Sequence, residues 1–211
     1  MAYRYVFLGP PGSGKGTQAQ ALAQALQVPH ISTGEMFRAA VAAQGELGKR
    51  IDGLLKAGQL VPDNVTNELI AERLQQPGAT SGFILDGYPR SLVQAEFLSQ
   101  LAPDTQALLI DLPDAEAVRR IAGRRTCLKC GAVYHLNYQP PPQTGVCDKC
   151  GSALEQRNDQ TEAVLKERLL IYHQQTEPLV EYYRQRGVLV TVDGSPAIPE
   201  VTARIRAALG V

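Results

Sequence analysis

Two stretches of this chain have residue types and spacing that could do chemistry. The first is Gly-Pro-Pro-Gly-Ser-Gly-Lys-Gly-Thr at positions 9–17, which follows a short apolar run and precedes a helical pattern. In that setting glycines let the backbone turn tightly, so that successive N–H groups face phosphate oxygens at a helix N-terminus. Lys15 then adds a mobile positive charge for the β- and γ-phosphates of a nucleotide. The common form of this loop has a hydroxyl residue directly after the lysine. Here Gly16 intervenes and the hydroxyl belongs to Thr17. The alternative is a glycine-rich turn that binds nothing. Strand, loop, lysine and helix in this order point instead to a nucleoside triphosphate, without naming the reaction.

The second stretch is Cys127-x2-Cys130, sixteen intervening residues, then Cys147-x2-Cys150. Paired cysteines two apart, repeated at this distance, have the spacing of a zinc ribbon. A glycine follows the second cysteine of each pair (Gly131 and Gly151), helping the backbone turn around a metal. Four thiolates leave no open coordination position, so the expected Zn²⁺ is structural. A segment this short cannot bury much core, and the metal would supply the missing folding energy. Two disulfides, four free thiols and a rubredoxin-like iron site are the alternatives.

Both stretches need elements to hold them. Short apolar runs at 6–8, 83–85, 107–112 and 188–192 are rich in Val, Ile and Leu and bounded by Gly, Pro or Asp, as buried parallel strands are. Amphipathic patterns lie between them: Ala19, Leu22, Ala23 and Leu26 share one helical face, with glutamines on the others. Strands alternating with helices predict a doubly wound parallel α/β sheet. Two segments break the rhythm and are read as insertions on a core formed by 1–31, 62–122 and 161–211. The segment 32–61 is helical but glycine-rich, and 123–160 holds all four cysteines and the run Pro140-Pro141-Pro142.

Composition limits the function classes. Hydrophobic residues make up 44% of 211 and charged residues 20%, which suits a globular chain. Twenty-one basic residues balance twenty-one acidic ones, where a nucleic-acid-binding face would tip the balance basic. No apolar run approaches the roughly 20 residues of a membrane span. The first eight residues lead almost directly into a strand-like run, leaving no room for a secretory signal. The expectation is a cytoplasmic protein, in which four cysteines are metal ligands sooner than disulfides.

The loop at 9–17 is also where the chain resembles the nucleoside monophosphate kinases, and within them the adenylate kinases. The likeness continues through Ile-Ser-Thr-Gly-Glu-Met-Phe-Arg at 31–38, Gly-Gln-Leu-Val-Pro-Asp at 58–63, Leu-Asp-Gly-Tyr-Pro-Arg at 85–90, Gly-Arg-Arg at 123–125 and Val-Asp-Gly at 192–194. The motifs keep the family's order and span nearly the whole chain. The resemblance implies a transferase moving a phosphoryl group from MgATP to AMP to give two ADP, a nucleotide-supply reaction. It implies that Gly12, Ser13, Gly14, Lys15, Gly16 and Thr17 hold the ATP phosphates, with Val133 and Tyr134 near the base or ribose. Pro196 falls where the family offers a carbonyl to adenine. AMP would be held by Thr33, Arg38, the backbone of Gln59, Leu60 and Val61, then Gly87, Tyr88, Pro89, Arg90 and Gln94. Arg120, Arg124, Arg157 and Arg168 would close over the transferring phosphates. The segment 32–61 would be the AMP-binding insertion and 123–160 a zinc-binding lid.

The chemistry agrees with that assignment. An AMP phosphate oxygen is already ionised and needs no general base; the reaction needs alignment, dryness and positive charge on the equatorial oxygens. Arginine forks suit phosphate, although a single arginine is ordinarily a solvated surface charge. Asp86 ends a strand at the edge where open parallel sheets bind ligands, and is expected to orient waters around Mg²⁺. A strand-end turn is its alternative. Gln94 lies four residues after Arg90, on the same face if the segment is helical, and its amide could pair with adenine or, flipped, with another base. His30, His135 and His173 read as packed or surface residues.

One departure stands out. After Arg157 the family commonly has two adjacent acids that engage the lid; here Asp159 remains and Gln160 replaces the second. A kinase for another monophosphate is the nearest rival. A P-loop switch or ATPase whose ribbon binds RNA or protein is a rival of a different class. The ribbon does carry Lys129, Tyr134, Tyr138 and Lys149, but Asp148 and Glu155 dilute the charge. Because ATP and AMP both fit one chain, the expected state is a monomer without nucleic-acid or membrane partners.

Overall fold

The computed structural model describes residues 3–157 and 160–211. Asp159, one of the acids expected at the lid, therefore lies outside the described residues. Along the chain the order is β1 (Tyr3–Leu8), α1 (Lys15–Leu26), β2 (His30–Ser32), α2 (Thr33–Ala42), α3 (Glu46–Lys56), α4 (Asp63–Gln75), β3 (Gly82–Asp86), α5 (Leu92–Leu101), β4 (Gln106–Asp111) and α6 (Asp114–Ala122). Next come β5 (Arg124–Cys127), β6 (Val133–His135) and β7 (Leu154–Glu155). The chain ends with α7 (Glu162–Ile171), a π-helical turn (Tyr172–Thr176), α8 (Pro178–Gln185), β8 (Leu189–Asp193) and α9 (Ile198–Leu209).

The main sheet is parallel throughout, with strand order β2-β3-β1-β4-β8. Alternation along β1 explains why helices cover both faces. Val6 and Leu8 join a cluster with Leu85, Tyr88, Leu98 and Leu179, while Tyr5 and Phe7 join Ala19, Leu22 and Ile205 on the other side. Because β1 is central, the chain leaves it toward one edge for β2 and β3 and returns on its other side for β4. Ligands of such sheets bind at that reversal, beyond the carboxyl ends of the strands. The four apolar runs read from the sequence are strands, with ends that agree within one residue except that β1 starts three residues earlier, at Tyr3. The edge strand β2 went unread; three residues inside a polar motif give no period to detect.

The segment 32–61 contributes α2 and α3, which bury Phe37, Ile51 and Val61 in an apolar cluster that Val65 and Leu69 of α4 also pack against. Gly48 explains part of its glycine content: a Cβ there would collide with the Ala40 carbonyl oxygen, so α3 crosses α2 closely only without one. The cysteine segment forms a second, antiparallel sheet in the order β6-β5-β7. Its buried cluster is Cys127, Tyr134 and Cys147.

Candidate active site

The loop between β1 and α1 sits at the reversal point. Gly12 and Gly14 have φ of 89° and 90°, a left-handed backbone that glycine adopts without steric cost. At Gly12 a Cβ would also stand 2.6 Å from the Ala117 carbonyl oxygen. Gly14 caps α1 without any side-chain hydrogen bond, so the helix N-terminus keeps its N–H groups for a ligand. Lys15 curls back over the loop, donating from Nζ to the carbonyls of Gly9 (2.6 Å) and Pro10 (2.8 Å) and to Ser13 Oγ (3.3 Å). Burial pushes its ammonium down to about 7; Asp86 opposes this, while Arg90, Arg168 and Arg124 add to it. The glycine after the lysine has a local reason. A Cβ on Gly16 would lie 3.2 Å from Asp86 Oδ2, so the departure from the common loop makes room for that carboxylate.

Asp86 ends β3 beside His30, whose Nε2 is 3.8 Å from its Oδ2. Burial alone would raise the Asp86 carboxyl, but His30, Lys15 and Arg90 outweigh it and hold the group below the usual carboxylate range. The next residue, Gly87, has φ 78°, and a Cβ there would stand 2.8 Å from Arg90 Nη2 and 2.9 Å from Thr33 Oγ1. That glycine lets three groups meet: Thr33 Oγ1 donates to the Gly87 carbonyl at 2.9 Å and Arg90 Nε donates to the same oxygen at 2.8 Å.

These pieces surround one cleft of about 440 Å³. Gly12, Gly14, Lys15, Gly16 and Thr17 line its floor, with Asp86, Gly87 and Pro89 beside them. Arg38, Arg90, Arg124, Arg157 and Arg168 reach the same cleft from five separate segments, as does Leu60. Val133 lines it from the cysteine-bearing sheet, together with Lys149, which sequence reading had counted only as a ribbon charge.

Other expected residues stand back from the wall. Ser13 braces Lys15, and Thr33 holds the Gly87 turn. Gln59 and Val61 are not on the cleft lining, and Val61 is buried in the cluster of α2 and α3. Tyr88 is fully buried, its hydroxyl donating to Asn67 Oδ1 at 2.7 Å. Arg120 bonds Glu116 and donates to the carbonyls of Gly194 (2.9 Å) and Ser195 (2.8 Å), which braces the loop leading to Pro196. The Tyr134 hydroxyl points into the small sheet, toward Cys147 Sγ at 3.3 Å and the Asp148 carboxylate. Gln94 is buried in the first turn of α5, and Arg90 precedes that helix, so the two do not share a helical face. They touch differently: the Arg90 N–H donates to Gln94 Oε1 at 2.8 Å.

One partner of Arg90 and one of Gln94 went unread. Thr176, in the π-helical turn, donates to the Arg90 carbonyl at 2.9 Å, across 86 residues of chain. Asp63 accepts from Gln94 Nε2 at 2.7 Å. Nothing local marks either contact, although Asp63 closes the motif at 58–63, because each is made only by folding.

The four cysteine sulfurs lie within 4.8 Å of one another, with Cys127–Cys150 at 3.4 Å and Cys130–Cys147 at 3.5 Å. A tetrahedral ion with Zn–S bonds of about 2.3 Å sets sulfurs roughly 3.8 Å apart, so the cluster fits such an ion. Gly131 and Gly151, at φ 76° and 72°, turn the two knuckles as expected. Among the described residues no helix is long and apolar enough to cross a membrane.

Comparison with known proteins agrees with this geometry. The sequence model of the adenylate kinase family matches residues 7–188. The adenylate kinase of Moorella thermoacetica is 50% identical over 212 residues, covering 98% of both chains. That of Archaeoglobus fulgidus is 48% identical, covering 97% of this chain and 96% of its own. That of Streptomyces avermitilis is 47% identical over 98% of this chain and 96% of its own.

Proposed function

This chain belongs to the adenylate kinase family and catalyses reversible phosphoryl transfer between ATP and AMP, and from that premise we propose how its residues divide the work. The observation that carries the proposal is the single cleft in which a P-loop lysine, a strand-end carboxylate and five arginines from separate segments converge. The loop at 12–17 binds the ATP phosphates, and Lys15 leaves its loop carbonyls for the β- and γ-oxygens. Val133, Tyr134 and the loop that Arg120 braces as far as Pro196 receive the adenosine of ATP. Thr33, Arg38, the 59–61 backbone, the turn 87–90 and Gln94 hold AMP. Arg90, Arg124, Arg157 and Arg168 gather charge around the transferring phosphoryl group, which needs alignment more than covalent help.

Mg²⁺ bound with the nucleotide supplies further charge neutralisation on the phosphate oxygens. Asp86, held ionised beside His30 and Lys15, suits a role in orienting the ion's waters. Cys127, Cys130, Cys147 and Cys150 hold a structural Zn²⁺ in a lid spanning 123–160, and 32–61 is the AMP-binding insertion on the remaining core. The small sheet, unpaired with the main one, supports that division, as does an apolar cluster centred on α2 and α3 with only Val65 and Leu69 of α4 added. Lid closure excludes water that would otherwise hydrolyse ATP. The enzyme works as a cytoplasmic monomer, since one chain supplies both sides of the cleft.

The test is ADP formation from MgATP with AMP, CMP, UMP, GMP or no acceptor. Rapid formation with AMP alone is expected. Activity with a different monophosphate alone would reject the acceptor assignment, and acceptor-independent hydrolysis would reject the role given to the insertion.

A further inference from the structure

The sense of the Gln94 amide is not a free choice in this fold. Asp63 is the first residue of α4, where the chain leaves the 32–61 segment, and Gln94 lies in the first turn of α5. Gln94 is only 2% exposed, and its two amide ends meet partners of opposite kind. Nε2 donates to Asp63 Oδ1 at 2.7 Å, and Oε1 accepts from the Arg90 N–H at 2.8 Å. A carboxylate can only accept and a backbone N–H can only donate. Turning the amide over would set oxygen against carboxylate and NH2 against N–H, two repulsive contacts in a buried place. Asp63 is itself held. Ser91 Oγ donates to the same Oδ1 at 3.0 Å while accepting from the Gln94 N–H at 3.2 Å.

These bonds leave the amide one N–H and one oxygen lone pair, in a fixed order. Adenine offers a donor at its 6-amino group beside an acceptor at N1. A 6-oxopurine offers the reverse, an acceptor at O6 beside a donor at N1. A freely turning amide would serve both bases equally; a locked one serves only the first in a given pose. We propose that Asp63 is a positioning residue for acceptor selection, locking the Gln94 amide in the sense that takes a 6-aminopurine monophosphate and refuses a 6-oxopurine one. This rests on the reading of Gln94 as an acceptor contact given above.

The experiment measures kcat/KM for AMP and for IMP, with saturating MgATP, in the wild type and in Gln94→Ala, Asp63→Ala, Asp63→Ser and Asp63→Asn. IMP differs from AMP only at the 6-position and N1. Asp63→Ala removes the acceptor. Asp63→Ser keeps a polar group that can donate as well as accept, so it no longer dictates the amide's sense, and it carries the test if the alanine variant fails to fold. In both, the AMP-to-IMP ratio is expected to fall about tenfold or more, mainly through the acceptor KM, with the KM for MgATP within about twofold. Asp63→Asn can turn either its carbonyl or its NH2 toward the amide, so like serine it no longer dictates the sense, and the ratio should fall there too although shape and polarity are kept. If Gln94→Ala lowers the ratio and the Asp63 variants leave it unchanged, the lock is overturned while Gln94 keeps its role. If AMP and IMP decline in parallel in the Asp63 variants, Asp63 only props up Arg90 and the selection role is likewise overturned. If Gln94→Ala itself leaves the ratio intact, the acceptor reading of Gln94 fails and the lock fails with it.

Discussion

The main sheet and the cysteine-bearing sheet hold themselves together by different means. The main sheet buries apolar side chains on both faces, and its fourteen- and eleven-residue clusters contain none of the cleft's charged groups. The small sheet has a buried cluster of three residues, two of them cysteines. In the core the charged groups of the cleft and the packed apolar side chains are therefore different residues, and a cleft arginine can change alone. In the small sheet, with the proposed Zn²⁺ bound, the same four sulfurs would support the fold and set the position of everything attached to it, so the two should fail together.

The sharpest way to break that contrast is within the core. Arg90→Ala removes a guanidinium from the cleft but deletes nothing from either apolar cluster. Turnover should fall about a thousandfold or more, the scale of a transition-state arginine, while the melting temperature moves by only a few degrees. Near-normal turnover would remove the central role of Arg90, and collapse of the fold would show that the core does not separate chemistry from stability.

The small sheet should behave in the opposite way. Stripping the metal from the intact chain with a chelator, or making Cys147→Ser, should unfold residues 123–157 while the main sheet stays folded. Hydrogen exchange is the check: the amides of Cys127, His135 and Cys147, each donating within the cysteine-bearing segment, should lose protection while those of β1 and β4 keep theirs. Activity should fall about a hundredfold as Val133, Arg124 and Arg157 lose their positions. Unchanged lid protection in the metal-free chain would mean that hydrogen bonds alone sustain the small sheet.

The same contrast explains what was legible in the sequence. The phosphate loop and the cysteine pairs are contiguous, and glycine, lysine and thiol each have few roles at such spacing, so both could be read from the residues. Four strands of the main sheet were legible because apolar runs bounded by turn residues report burial directly. Gln94 and Arg90 were linked by a helical spacing that does not apply, since α5 begins at Leu92. Asp63 was legible only as the end of the motif at 58–63 and Thr176 not at all, because what makes them matter is a contact partner 31 or 86 residues away. Arg120 could be counted among the arginines, but its turn toward the carbonyls of Gly194 and Ser195 depends on how α6 lies against the loop after β8.

Thr176 joins the two regimes, for its π-helical turn follows α7, the helix that leads away from the cysteine-bearing segment and carries Arg168, and it bonds the carbonyl of Arg90. Thr176→Val keeps the shape and loses the donor. A roughly tenfold loss of kcat is expected, with the melting temperature little altered, because about 1.4 kcal/mol of misplaced arginine corresponds to tenfold in rate. Stopped-flow or steady-state ADP formation measures it. A wild-type kcat would show that Gln94 and Gly87 hold Arg90 without help from across the cleft.

The smallest expected effect concerns Lys15, the one core residue in which chemistry and stability do compete. Its folded value of about 7 lies far below the ordinary 10.5, because burial and the surrounding arginines disfavour its charge. Between those two values the unfolded chain binds a proton that the nucleotide-free fold does not, so stability rises with pH across the window and is flat below it. Triphosphate brings negative charge to the ammonium and should restore the proton. Binding of MgATP at pH 8 should then take up most of a proton, binding at pH 6 almost none, and affinity should weaken as pH rises above about 7. Calorimetric titration in two buffers of different ionisation enthalpy counts the protons. Lys15→Met should abolish the uptake and, near pH 7, raise the melting temperature of the nucleotide-free protein, since it removes a charge that the fold holds at a cost. Absence of uptake at pH 8 in the wild type would mean that the loop carbonyls of Gly9 and Pro10 already keep the ammonium charged, and that the cradle is as stable empty as the apolar core around it.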